Sequence, residues 1–258
     1  MDLTPRLLKI AQEIRPKERV GDIGTDHGYL PIYLIKNQIA STVIATDINP
    51  EPLCAARNNI RAHGLDEHIK TKLGAGTVPL EEEELDVIIV AGMGGKLIIE
   101  ILKNSSRLKK SVNRMILQPM QQQSELRLHL SMEGYHIEKD LLVQEGRRIY
   151  EILVVSLKTG GKSKEPEERS PSIPGPETAR IEKQYPKSFE IYQSMQMELG
   201  FFFFENPKSL AEKFLDLRID QMEKIIRETG GRDSEAAIRM NERAKIKADK
   251  LKEVKGCL

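Results

Sequence analysis

Cys54 and Cys257 are the only cysteines in 258 residues. So few thiols build neither a disulfide framework nor a zinc site, and they fit a reducing cytosol. No apolar run approaches the length of a membrane span. The opening residues, MDLTPRLLKIAQEI, lack the basic, apolar and small-residue order of a signal peptide, so a cytoplasmic protein is expected. No excess of either charge exists: 40 Lys and Arg against 39 Asp and Glu leave +1. That balance neither requires nor excludes nucleic acid, because phosphates meet a local patch and not a sum. GxGxxG is missing, which argues against nicotinamide or flavin dinucleotides. GxSxG and a phosphate-binding lysine loop are missing as well. None of the five histidines stands at metal-ligand spacing from cysteines or acids, so no metal is expected.

With 39% hydrophobic and 31% charged residues, the chain has the length for one sizeable domain plus an appendage. Leu7, Leu8, Ile10, Ala11 and Ile14 recur at helical spacing over residues 4–14, with Arg6 and Lys9 off that face. Pro16 ends this segment. Strands and helices then alternate. VGDI leads to a helix near Leu30 to Asn37, and TVIATD to one near Pro52 to His63. A short strand, Ile69 to Leu73, precedes GAGTVP. LDVIIVAG is continuously apolar, as a strand buried on both faces requires. A helix near Lys96 to Lys103, the strand RMILQP and a helix over 124–133 follow. HIEKDLLVQ and IYEILVVSL are joined by EGRR at hairpin spacing. The order predicts an α/β fold: a doubly wound, mostly parallel sheet closed by a hairpin.

After Leu157 the composition shifts. Residues 158–178 are rich in Gly, Pro, Ser and charge, which predicts a linker or irregular insertion over 158–195. The α/β unit would then occupy 1–157, and an antiparallel helical pair 196–258. Leu210, Phe214, Leu217, Met222 and Ile225 form one expected apolar stripe. Ala237, Met240, Ala244, Leu251 and Val254 form the other, interrupted by Lys247. FFFF at 201–204 is too apolar to remain in water and is expected to dock the pair onto the sheet domain.

Three strand ends carry chemistry. DIGTDHG, between strand and helix, lets a ligand approach the backbone at Gly24 and Gly28, with Asp26 and His27 toward a crevice. The alternative is a plain strand–turn–helix with an Asp cap. Asp47 closes the next strand, where a carboxylate accepts hydrogen bonds from ribose hydroxyls; an exposed turn acid is the alternative. AGMGG (91–95) follows the most apolar strand, where something flat can meet the backbone, or where glycines serve only helix packing. Gln118 in LQPM puts an amide on the same rim. Lys103, Arg107, Lys109, Lys110 and Arg114 form one basic cluster. Arg239, Arg243, Lys245, Lys247, Lys250, Lys252 and Lys255 form another on the last helix. Each cluster is a solvated face or an RNA footprint.

DIGTDHGYLP, TDINP, AGMGG and LQP, in this order, resemble the bacterial tRNA (adenine-22-N1)-methyltransferase family, TrmK. EGRRIYEILV and LGFFFFENPKSLAEKFL extend the likeness over most of the chain. The resemblance implies a class I, Rossmann-like, seven-stranded methyltransferase domain using S-adenosyl-L-methionine, a C-terminal coiled coil, and a tRNA substrate. It implies a cofactor pocket of Asp22, Gly24, Asp26, His27 and Tyr29. Asp47 would hold the ribose, with Ile48 and Asn49 beside the adenine, and Gly74, Ala75, Gly76, Ala91 and Gly92 complete the pocket. Asp26, Gly92, Met93, Gly94, Gln118 and Pro119 would serve the reacting centre. The family shows Gly-Asp-Gly where this chain has Gly74-Ala75-Gly76. A monomer without membrane or metal partners is favoured. The rival functions are methylation of a small molecule or a protein, and a non-catalytic tRNA-binding adaptor.

Overall fold

A computed structural model describes residues 2–105, 112, 114–157 and 176–258. The chain divides into two compact units, Met1–Ser172 and Ile173–Leu258.

The first unit opens with α1 (Pro5–Gln12), capped by Thr4, whose hydroxyl accepts from the Leu7 amide. Strands and helices then alternate: β1 (Glu18–Ile23), α2 (Tyr29–Lys36), β2 (Ala40–Asp47), α3 (Pro50–Ala62) and β3 (Ile69–Leu73). β4 (Val87–Met93), α4 (Gly95–Lys103), β5 (Arg114–Pro119) and α5 (Gln123–Met132) follow. The hairpin β6 (Tyr135–Glu145) and β7 (Arg148–Leu157) closes the unit. The seven strands lie in the order β3-β2-β1-β4-β5-β7-β6. β1 to β5 pair in parallel, whereas β7 runs antiparallel to both β5 and β6. Val87, Ile88, Ile89 and Val90 of β4 are all buried, as their unbroken apolar run predicted.

The strand order reverses between β1 and β4. Crossovers leave from these two neighbours in opposite directions, which opens a crevice at their carboxyl ends. β2 ends on the same rim, because Ile23 of β1 lies beside Thr46 of β2 and Val90 of β4.

Arg127 of α5 is 1% exposed and is held by two buried carboxylates. Its Nε donates to Asp140 Oδ1 at 2.9 Å, and its Nη2 to Glu151 Oε2 at 2.6 Å. This triad ties α5 to both hairpin strands. Arg114, expected in a surface cluster, is also buried. It pairs with Glu18 at 3.0 Å and donates to the Glu13 carbonyl. Its position in β5 turns it beneath α1, so it leaves the basic cluster. Arg107, Lys109 and Lys110 of that cluster lie outside the described residues.

The second unit contains α6 (Pro176–Gln184), α7 (Pro186–Ser194), α8 (Gln196–Leu199), α9 (Lys208–Thr229) and α10 (Glu235–Lys255). Residues 176–194 are thus helical where a linker was expected. The composition misled because Pro176 and Pro186 open helices, a position where the missing N–H costs nothing. Residues 158–175 lie outside the described residues. Phe203 and Phe204 are buried within this unit, Phe204 4.7 Å from the Tyr192 ring and Phe203 5.9 Å from Phe214. The Tyr192 hydroxyl donates to the carbonyls of Gly200 and Phe201. The expected stripes shift slightly. Leu217 and Met240 are exposed, while Leu215, Ile219 and Ala248 are buried in their place. Among the described residues, no helix is long and apolar enough to cross a membrane.

Candidate cofactor and substrate site

A cavity of about 820 Å³ opens at the carboxyl ends of β1, β2 and β4. This lies within the range of small-molecule sites, roughly 300–1,000 Å³. Its first wall is the loop after β1. Gly24 has φ +78°, and a Cβ there would lie 2.3 Å from Met93 Cε. The left-handed backbone favours glycine here, while the Met93 methyl, at the end of a flexible side chain, can move aside. His27 and Gly28 are both left-handed (φ +56° and +71°), which turns the chain sharply into α2. Asp22, Gly24, Asp26 and Tyr29 line the cavity. His27 does not: its ring is half-exposed, stacks on Tyr29 and lies 3.4 Å from Asp26. The Asn59 amide fixes the His27 carbonyl at 2.9 Å.

The second wall follows β2. Asp47 Oδ1 accepts from the Asn49 amide at 2.8 Å. This locks the turn and leaves Oδ2 for a ligand hydroxyl. Ile48 is 63% exposed and lines the cavity beside Asp47 and Asn49. Gly74, Ala75 and Gly76 face them from the loop after β3.

The third wall comes from β4 and divides the AGMGG glycines between two jobs. Ala91, Gly92 (φ +79°) and Met93 line the cavity. Gly94 caps α4 and Gly95 begins it, where a Cβ on Gly95 would lie 2.5 Å from the Gln122 carbonyl. Cavity lining and helix packing thus fall on different residues of AGMGG.

Gln118 and Pro119 are buried behind this wall. Gln118 Oε1 accepts from the Gly92 amide at 3.1 Å and from Arg6 Nη1 at 2.7 Å. Its Nε2 donates to the Pro119 carbonyl at 3.1 Å. Gln118 thus positions its neighbours and presents nothing to the cavity. Arg6 is one of the cavity residues that sequence periodicity missed, with Val78, Leu97, Glu100, Ile101 and Asn104. It lines the cavity together with Leu7 of the apolar stripe, whereas Lys9, the other residue off that face, lies beside Glu13. The Arg6 guanidinium lies 5.4 Å from the Tyr150 ring, and its backbone amide donates to Glu145. Its position off the apolar stripe was the available signal.

Asp22 is 6% exposed at the cavity floor. Burial raises its pKa to about 6; the Asp47 charge adds to the rise and Thr25 opposes it. A cationic ligand group here would stabilise the carboxylate. Among the described residues, no cluster of His, Cys, Asp and Glu is arranged to hold a metal ion.

This topology and crevice are those of a methyltransferase. Residues 3–153 match the family model described as a methyltransferase domain, and the chain belongs to that family. Within it, the chain is 35% identical over 154 residues to the tRNA (adenine(22)-N(1))-methyltransferase of Bacillus subtilis, covering 60% of this chain and 65% of that relative. The matched segment therefore spans just under two thirds of the curated relative. The solved structure of the B. subtilis enzyme, TrmK, superposes with a TM-score of 0.74 at 26% identity, covering 98% of this chain and 99% of the other. Streptococcus pneumoniae Sp1610, solved with S-adenosyl-L-methionine, gives 0.71 at 25% identity over 98% of this chain and all of its own (100%). The family resemblance read from DIGTDHGYLP, TDINP, AGMGG and LQP is borne out.

Proposed function

We propose that the protein methylates N1 of adenine 22 in tRNA, using S-adenosyl-L-methionine. The observation that carries this is the cavity itself, with a ribose-type carboxylate, Asp47, at one end and Gly92 with Arg6 at the other. The donor set fits the cofactor. Asp47 Oδ2 is available for ribose hydroxyls, and the apolar side chains of Ile48 and Val78 suit a purine face. The buried Asp22 carboxylate and the Arg6 guanidinium offer opposite charges to an amino acid's ammonium and carboxylate. Gly24, left-handed at φ +78°, bares its backbone to the cavity.

When bound, the cofactor supplies a methyl group activated by a sulfonium. Adenine N1 carries a lone pair and takes that methyl without prior loss of a proton, so no strong base is required. The protein's contribution is alignment in a partly dry crevice. Gly92 and Met93 form the floor against which the target base lies, and Asp26, exposed at the rim, orients it. N1 is engaged in base pairing within a helix, so the base is exposed or flipped before it reaches Gly92.

The helical unit grips the tRNA body. Arg243 and Lys245 are exposed on α10, whereas Arg239, Lys247, Lys252 and Lys255 are engaged with Glu235, Glu198, Glu223 and Asp216. Such a substrate assigns the enzyme to the cytoplasm.

The test is incubation with isotopically labelled cofactor and unmodified tRNA, followed by nuclease digestion and mass spectrometry. One labelled methyl on N1 of adenine 22 is expected. Methyl transfer to another position, or none from a cofactor-binding protein, overturns the assignment.

A further inference from the structure

The α4 helix shows two faces. Ile98 and Leu102 are fully buried against the sheet. Leu97, Glu100, Ile101 and Asn104 line the cavity, and their spacing of three, four and seven residues places them on one stripe. A leucine 47% exposed beside two polar side chains is an uneconomical solvent face but a suitable ligand wall. The glycine loop after β3 presses against this stripe: a Cβ on Gly76 would lie 3.3 Å from Ile101 Cγ1. Loop and helix thus bound a slot whose exposed apolar side chains include Ile48 and Val78.

A flat heteroaromatic base needs apolar contact on its faces and hydrogen bonds on its edge. Ala75 offers the edge no side-chain group. Glu100 and Asn104 do, and among the described residues neither side chain has a hydrogen bond or ion pair. A carboxylate accepts from an exocyclic amine, and an asparagine amide accepts from that amine while donating to a ring nitrogen.

We infer that Glu100 of α4 and Asn104, which caps the end of that helix one turn on, read the amino edge of the cofactor's purine and set the preference for adenine over a 6-oxo base. This rests on the cavity being the S-adenosyl-L-methionine site proposed above. A 6-oxo purine presents an acceptor where adenine presents a donor. Its oxygen would then face the Glu100 carboxylate.

Calorimetric titration with S-adenosylhomocysteine and with S-inosylhomocysteine tests this on the full chain without turnover. The wild-type protein should favour the adenosyl compound by about tenfold or more. The Glu100→Ala/Asn104→Ala double variant should lower that preference to roughly threefold or less, chiefly by weakening the adenosyl compound. Glu100→Gln, which retains an acceptor oxygen, should fall between the two. Both side chains are exposed, so folding is expected to survive; circular dichroism checks it. A wild-type protein that binds both compounds equally overturns the inference alone. So does a double variant that keeps the full preference. A wild-type protein that binds neither compound overturns the cofactor assignment and the inference with it.

Discussion

Gln118→Met keeps the volume of a fully buried side chain and removes its amide. Two donors lose their acceptor: Arg6 Nη1, now at 2.7 Å, and the Gly92 amide, now at 3.1 Å. A hydrogen bond to a charged group contributes about 1.5–3 kcal/mol, and a neutral one about 0.5–1.5 kcal/mol. Both donors border the cavity and regain water, so the loss of stability should sit near the low end, about 2 kcal/mol. Freed from Gln118, Arg6 also has more rotamers to lose on gripping a carboxylate. S-adenosylhomocysteine affinity should therefore fall by about tenfold. Gln118→Glu separates the two effects. Its carboxylate still accepts from Arg6 and Gly92, but it replaces a donor with a charge about 3 Å from the Pro119 carbonyl. This variant should lose stability while keeping most of its affinity. Urea denaturation and calorimetric titration measure the two quantities. A Met variant with wild-type midpoint and wild-type affinity would refute the positioning role, because Arg6 and Gly92 would then be held without Gln118.

Arg127→Met should destabilise the protein by about 3–5 kcal/mol, because Asp140 and Glu151 would remain buried without their cation; a shift in urea midpoint equivalent to under about 1 kcal/mol would contradict this. The raised pKa of Asp22, about 6, makes the folded state bind a proton that the unfolded chain releases near 3.8. Its burial therefore costs nothing below pH 3.8, and the cost grows as pH rises to about 6 and stays constant above; Asp22→Asn should be the more stable protein at pH 8 by about 3 kcal/mol. If ionised Asp22 meets the cofactor's ammonium group, wild-type affinity should rise with pH through about 6 and the Asn variant should lack that rise; parallel profiles would remove Asp22 from the site. Asp47→Ala should weaken S-adenosylhomocysteine by about tenfold or more without unfolding, since among the described residues the Asp47 side chain accepts one hydrogen bond, from the Asn49 amide, and its backbone bonds are kept in alanine; unchanged affinity would move the ribose elsewhere.

The alternation of apolar strands with amphipathic helices was legible because each element's period is a local property. So were the glycine loop DIGTDHG and the acid that ends β2, since both depend on chemistry a few residues long. DIGTDHG, Asp47, AGMGG (91–95) and Gln118 are assigned to one rim from sequence; Gly94, Gly95 and Gln118 do not line the cavity. What lay beyond reach was the direction of side chains whose partners are distant in the chain. Arg114 reads as a surface cation until Glu18 and the Glu13 carbonyl, 96 and 101 residues away, enclose it. Gln118 reads as a rim amide until Arg6, 112 residues away, claims its oxygen. Proline content likewise hid α6 and α7, because a proline that opens a helix and one that breaks it have the same composition.

The sequence by itself determined the strand ends and the kinds of group they carry. Tertiary structure alone decided which groups face the cavity, because a helix exposes its polar face to solvent or to a site according to what packs beside it. Arg6, half-buried on α1, and the exposed Glu100 of α4 and Asn104 at that helix's C-terminal cap are ordinary polar positions of amphipathic helices until the sheet's strand order brings both helices to the same crevice.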